Sequence, residues 1–276
     1  MIRRGAIVLI ACVCVLAAVL GACSEHRVEA AEPEDAGPRI AVLSPALALT
    51  LRELGLEDRI VARHAWDSLT PASVPAAGDQ AAIDYETLLD VRPTHVLVEW
   101  GQRDLPDKLV ELAEARAWRL SDHRTLTLDD IARTTRELAE QFGVTTVLPQ
   151  RLEDAWAPRP SVDAGPVLLL IQTTPEIAAL GPGSAHHQIL TRLGHTPALE
   201  DGSPYQVLLA EDVLELDPAH IVLIRPGSPP EEVRLGPIGA LGLRARVHTL
   251  TDPADLVSGP NLLGFTDRLS AALAAE

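Results

Sequence analysis

The sequence predicts an α/β protein of two similar lobes joined by a single long helix, and three features predict it. The first is a repeat. Glu86-Thr-Leu-Leu-Asp-Val-Arg-Pro93-Thr-His95-Val-Leu-Val-Glu-Trp100 returns as Glu211-Asp-Val-Leu-Glu-Leu-Asp-Pro218-Ala-His220-Ile-Val-Leu-Ile-Arg225, with Glu, Pro and His identical and the apolar positions alike in kind. A second echo lies upstream of each copy, Leu43-Ser-Pro45 leading to Leu54-Gly55 and Leu180-Gly-Pro182 leading to Leu193-Gly194. Duplication of so long a unit implies two lobes, and two lobes face each other across a cleft of the kind that binds ligands. The second feature is the content of the repeat. A short helix runs at once into a wholly apolar strand, which is half of a parallel β/α unit covered on both faces. The third is an amphipathic stretch, Thr127 to Phe142, at roughly 1.5 Å per residue about 24 Å long.

In chain order, the start is a targeting segment. Arg3 and Arg4 form a basic n-region, and Ala6 to Leu20 are continuously apolar. Leu20-Gly21-Ala22-Cys23 then resembles a bacterial lipobox, which implies a signal peptide over 1–22 and a lipidated Cys23. Acyl chains on that cysteine anchor the protein to a membrane. Cys12 and Cys14 fall in the removed part and no cysteine follows Cys23, so the mature chain has neither a disulfide nor a thiolate metal site. Residues 23–38 are polar, acidic and rich in Ala and Pro, a flexible tether.

The first lobe spans 39–124. Arg39 to Leu43 is a strand, Ser44-Pro45 a turn, and Ala46 to Leu54 a helix ended by Gly55. Arg59 to Ala62 is the next strand. Glu86 to Val91 is the first repeat helix, stopped by Pro93 because a residue before proline is pushed out of the α region. His95 to Val98 is its strand. Leu105 to Arg116 is helical and Trp118 to Leu120 extended. The connection spans 125–165. Thr127 with Asp130 resembles a capping box. Leu128, Ile131, Leu138 and Phe142 form one stripe, and Gly143 ends the helix. Leu148 to Trp156 is available as a second, shorter helix. The second lobe spans 166–276 and opens with the strand Val167 to Ile171. Its repeat strand is Ile221 to Ile224.

Composition narrows the function. A net charge of −16 argues against nucleic acid as a partner. Aromatic residues are only 3% of the chain, so each of the tryptophans Trp66, Trp100, Trp118 and Trp156 carries weight in any pocket. The chain lacks a His-x-x-x-His helix, a Gly-x-Ser-x-Gly elbow and a phosphate loop, so no catalytic residue and no resident cofactor is expected.

Taken in order, the lipobox, "RIAVLSPALALTLRELGLEDRIV", "AAGDQAAIDYETLLDVRPTHVLVEW", the long helix, "GPGSAHHQILTRLGHTPALE" and "LLAEDVLELDPAHIVLIRPG" resemble the substrate-binding proteins of ABC importers for cobalamin, haem and ferric siderophores. The resemblance covers almost the whole mature chain. It is nearest to the cobalamin-binding branch, whose members carry a Trp shortly after the repeat strand, here Trp100. It implies two Rossmann-like β/α lobes joined by a spine helix. The implied function is an extracytoplasmic protein that passes a metal chelate to a permease and ATPase. Glu86 and Glu211, one on each lobe, occupy the positions that dock into permease arginines in this family.

Cleft residues are expected from loops at strand ends. The first lobe offers Ser44, Trp66, Gln80, Trp100, Gln102 and Arg103, and the second Thr173, His186, Tyr205 and Arg225. Trp66 and Trp100 suit stacking on a flat macrocycle. His186 and His187, with His64, have the chemistry to ligate a metal, although adjacent helical histidines do not point the same way. No dedicated metal site is expected. His95 and His220 recur at strand starts and read as structural. A metal-dependent hydrolase using His64, His186 and His187, and a surface or sensory lipoprotein without transport, are the competing functions.

Overall fold

The two copies of the repeat build the same unit in the same register. The computed structural model describes residues 37–101, 103–162, 164–172, 176–227 and 236–274. Cys23, Gln102 and Thr173 therefore lie outside the described residues. In the first lobe β1 (Ile40–Leu43), β2 (Ile60–Ala62), β3 (His95–Val98) and β4 (Arg119–Asp122) form an all-parallel sheet ordered β2-β1-β3-β4. In the second, β5 (Val167–Gln172), β6 (Ile177–Leu180), β7 (Tyr205–Leu208), β8 (His220–Ile224) and β9 (Arg246–Leu250) are ordered β7-β6-β5-β8-β9. Here β5, β8 and β9 are parallel, whereas β6 and β7 run as antiparallel strands. Ile40 pairs with His95 and His95 with Arg119; Val167 pairs with His220 and His220 with Arg246.

The helices are α1 (Pro45–Glu53), α2 (Tyr85–Val91), α3 (Asp107–Arg116), α4 (Leu128–Gln141), α5 (Leu148–Ala155), α6 (Ala185–Arg192), α7 (Ala210–Leu216) and α8 (Leu262–Ala274). The repeat helices α2 and α7 start on side-chain carboxylates. Asp84 Oδ1 accepts from the Thr87 amide at 3.0 Å, and Asp212 Oδ2 from the Leu209 amide at 2.6 Å. They end alike, with Arg92 at φ 42° and Asp217 at φ 38°. Each precedes a proline, which bars the right-handed helical region, and each takes the left-handed one instead. The repeat histidines are buried at their strand starts: His95 Nδ1 lies 2.8 Å from Thr94 Oγ1, and His220 Nδ1 2.9 Å from His248 Nε2.

The long helix α4 is capped by the reciprocal bonds of Thr127 and Asp130, at 3.1 and 3.2 Å. Its 14 residues span about 21 Å, and α5 follows it in the connection. Leu128, Ile131 and Leu138 of α4 belong to one buried apolar cluster that also takes in β1, α5, β5, α6, β8 and α8. The lobes thus share a core. At the helix start, the Leu128 amide donates to Gln188 Oε1 at 2.9 Å, and the Ala185 amide to the Leu126 carbonyl at 2.8 Å. Behind it, the strand-like segment after α5 is strapped to the end of α6 by Arg159 N to Arg192 O and Val162 N to Gly194 O, both 2.8 Å. Gly194 has φ +87°, and a Cβ there would lie 2.0 Å from the Pro160 carbonyl, so glycine is the residue that permits this approach.

Candidate functional site

Parallel β/α sheets present their loops at the carboxyl ends of the strands, and ligands bind there. Three such ends converge in the first lobe. Ser44 follows β1, Glu99 follows β3, and Thr125 lies just past β4. Ser44 caps α1 by accepting from the Leu47 amide at 3.3 Å, and its hydroxyl donates to Glu99 Oε2 at 2.8 Å. Glu99 Oε1 accepts from the Thr125 amide at 3.1 Å and from the Thr125 hydroxyl. Gln80 Nε2 donates to the Glu99 carbonyl at 2.6 Å. Neighbouring strands therefore hold one carboxylate by neutral donors, each such charge-assisted bond being stronger than a neutral one.

Across from this cluster stands the second lobe. Pro45, Ala46, Gln80, Glu99, Thr125 and Leu126 line a cavity of about 400 Å³ together with Tyr205, Leu256, Val257 and Ser258. Tyr205 opens β7 and is half-exposed. Partial loss of hydration, with a smaller push from the Glu99 charge, raises its phenol pKa above the ordinary value against a hydrogen bond with Ser258.

Gln80 also lines an adjoining cavity of about 360 Å³ with His64, Trp66, Asp79, Ala81 and Arg103. The Trp66 ring is 78% exposed, and its Nε1 donates to Asp79 Oδ2 at 2.9 Å. The Trp66 amide donates to His64 Nδ1 at 3.1 Å, which puts that ring's proton on Nε2. Asp79 is held low in pKa by the Ala82 and Ala81 amides and by Trp66, whereas burial lowers His64. Gly78 makes the loop possible: at φ +96°, a Cβ would stand 2.1 Å from the Ala82 carbonyl.

Ser44, Trp66, Gln80, Arg103 and Tyr205 thus line the cleft or the network at its floor. Three expectations are corrected. Trp100 is 8% exposed, packed with Leu43, Ala77, Val98 and Trp118 in the core of the first lobe, and the Arg103 guanidinium covers its ring at 5.0 Å. The small residues Ala41, Ala62, Ala77 and Ala113 share that cluster, so the lobe interior has room for an indole and burial wins over exposure to ligand. His186 is fully buried: its Nε2 donates to the Asp255 carbonyl at 2.7 Å and its ring meets Phe265 edge-on. His187 turns away to the Leu199 carbonyl, 2.9 Å from its Nε2, so the two histidines do not join His64. Arg225 sits at the end of β8 and lines neither cavity. Glu99 and Thr125 went unremarked in the sequence. The signal for Glu99 was available, as an acid directly after an apolar parallel strand.

Glu86 and Glu211 are both exposed, each the second residue of its repeat helix. Among the described residues no helix is long and apolar enough to cross a membrane.

The arrangement is two-lobed, with a helical connection and a cavity lined from both sides. No protein-family model and no curated protein matches the sequence. Among solved structures, the fold is similar to the periplasmic haem-binding protein HutB of Vibrio cholerae, with a TM-score of 0.68 at 17% identity over 86% of this chain and 99% of that one. It is similar to a periplasmic haem-binding protein from Pseudomonas aeruginosa, with a TM-score of 0.67 at 22% identity over 86% and 92% of the two chains. The periplasmic vitamin B12-binding protein BtuF of Vibrio cholerae gives a TM-score of 0.63 at 21% identity over 86% and 96%. These structures belong to the group that the sequence resembles, the cobalamin, haem and siderophore binding proteins of ABC importers.

Proposed function

We propose that the chain is an extracytoplasmic substrate-binding protein, lipid-anchored through Cys23, that passes a metal chelate to an ABC permease and its ATPase. A cobalamin-type corrinoid is the first ligand, with a ferric siderophore or haem next. The observation that carries the reading is the cavity to which both lobes contribute, Glu99 and Gln80 from one side and Tyr205 and Ser258 from the other. Its chemistry ranks the ligands. Glu99 and Asp79 favour a ligand with amide donors or positive charge, such as the amide-bearing corrin ring. They repel the two carboxylates of haem, because like charges in a partly desolvated site are costly. Trp66 offers a flat, exposed face at the rim. Tyr205 is the one feature that favours haem, as a phenol able to ligate ferric iron, but its raised pKa opposes the phenolate.

Docking through Glu86 and Glu211 is supported by their exposure and their matching places on α2 and α7. Carboxylates pair directionally with arginine. The test is the absorption spectrum and mass of the ligand retained on purification, followed by titration with hydroxocobalamin, haemin and a ferric hydroxamate. Saturable binding of one, with quenching of tryptophan fluorescence, is expected. Absence of binding by all three would end the metal-chelate reading.

A further inference from the structure

Exposed apolar side chains are normally scattered singly over a soluble surface. Here half of them gather in one place. Of the eight exposed large apolar side chains among the described residues, four fall within ten residues: Tyr205 at 51%, Val207 at 59%, Leu209 at 66% and Leu214 at 46%. The backbone explains why. β7 is an edge strand, paired only with β6 among the described strands. Side chains alternate along a strand, so Leu208 goes to the core while Tyr205 and Val207 turn outward. Leu209 then caps α7, and Leu214 lies on that helix. The strip begins at Tyr205, on the wall of the cavity, and ends beside Glu211. Among the described residues the first lobe has no equivalent. The segment before α2 is a loop whose exposed residues include Gln80 and Asp84.

We infer that the strip from Tyr205 to Leu214 is a docking surface for the importer's permease, gripping an apolar ridge of that protein whose flanks are basic. The inference rests on the function proposed above. Charge selects this occupant. Glu211 and Glu215 are exposed on α7 beside the strip, and acids flanking an apolar patch favour a partner of opposite sign. A second copy seated on the strip would bring the α7 acids of two chains together, each chain carrying a net charge of −16. The same acids repel an anionic lipid surface. Burying edge-strand side chains in a protein partner also covers an edge that would otherwise invite strand pairing.

Two measurements test it. A photo-reactive amino acid at Val207 or Leu209, in the native host, should cross-link to a polytopic permease subunit identified by peptide sequencing. The same probe at the exposed Val147 should not. Adducts with a second copy, with lipid, or with nothing overturn the inference. In parallel, the double variant Val207→Glu/Leu209→Glu should lower uptake about tenfold or more, the equivalent of 1.4 kcal/mol of docking. Melting temperature and chelate affinity should hold. Unchanged uptake overturns the strip. If Glu211→Arg blocks uptake while the double variant does not, the strip alone is wrong. If neither variant matters and no chelate binds, the proposed function falls and the strip with it.

Discussion

In the first lobe two paired strands lead into Ser44 and Glu99, and at the equivalent step the second lobe carries Ile171 and Ile224. The registers match up to that step, Leu43 facing Val98 and Leu170 facing Leu223. One residue further, a hydroxyl and a carboxylate stand where the other lobe carries two apolar chains. Ile224 is buried, whereas Glu99 reaches the cavity. The lobes differ again in how they leave the first of these strands. β1 runs straight into α1 through Ser44, but β5 first turns back through β6 before α6 begins at Ser184. Duplication supplied a frame that both halves keep, and the chemistry sits where the copies part. The departure from symmetry is therefore the better guide to function than the repeat.

The largest expected effect concerns what the lobes share. Phe265 is fully buried in the cluster that joins both sheets. Phe265→Ala should destabilise the protein by about 3–5 kcal/mol and leave a single unfolding transition, read by denaturant titration with two probes. Two separated transitions would mean that the lobes are independent and the shared core does not couple them. Next come the repeat glutamates. Glu86→Arg and Glu211→Arg should each weaken permease docking by roughly 2–5 kcal/mol if they form hydrogen-bonded ion pairs there. Chelate affinity should be unaffected. Comparable losses for the two would support equivalent docking roles, whereas a loss confined to one variant would make docking one-sided.

A third test sets α6 against α1. Both start on a serine cap, but the second helical residue is Ala46 in α1 and the buried His186 in α6. His186 Nε2 carries the proton donated to the Asp255 carbonyl, and Nδ1 has no hydrogen-bond partner among the described residues. Burial lowers its pKa to about 4 from an ordinary 6.5. As pH falls through that window the unfolded chain gains a proton that the folded chain refuses. Stability present above pH 6.5 is therefore lost towards pH 4, by about 3 kcal/mol. Urea midpoints at several pH values should show this slope, and His186→Gln should flatten it. An identical slope in the variant would assign the acid sensitivity to other groups.

Legibility in the sequence followed periodicity. The repeat helices, β3, β8 and α4 stood out because an apolar run or stripe and a capping residue agreed with one another. β6 and β7 went unseen because Ile177–Leu180 is short, and because β7 exposes the apolar chains that a strand reading places inside. α8 buries one stripe, Leu262, Phe265, Thr266, Leu269 and Leu273, but Leu263, Ala271 and Ala272 on its other faces blur that stripe in the sequence. β9, Arg246–Leu250, has only Leu250 buried and reads as polar. Loop position pointed to Ser44, Trp66, Gln80, Arg103 and Tyr205, which lie on the two cavities or in the hydrogen-bond network beside them. It failed at Trp100, where volume decided: the alanines of the first-lobe core cluster admit an indole. The two tryptophans should dissociate accordingly. Trp100→Ala should cost about 3–5 kcal/mol of stability. Trp66→Ala should leave stability intact and weaken chelate binding by about 1–3 kcal/mol if the ring stacks on the ligand. Both follow from paired calorimetry and fluorescence titration, and a Trp66→Ala variant with full affinity would remove the stacking role.

The smallest effect has the most telling sign. Glu99→Gln keeps the shape and one acceptor oxygen for Ser44 or Thr125 but removes the charge that separates the first lobe from the second. The change in affinity then reports the charge of the ligand itself. A porphyrin with two propionates should bind more tightly to the variant, and a corrinoid or other chelate with positive or amide character more weakly. Each shift should be about 1 kcal/mol at the effective dielectric of a half-open cavity. Raising salt should shrink either shift, because the groups are partly solvated. Tyr205 gives an independent check on the same substitution. The Glu99 charge contributes to its raised pKa, so the phenol should ionise at lower pH in the variant, visible in the ultraviolet difference spectrum. Haemin binding that is unchanged or weaker in the variant would show that the carboxylate does not repel haem, and would remove the ground for placing haem after the corrinoid. Weaker corrinoid binding with the same movement of Tyr205 would uphold the carboxylate as the selective element of the cleft.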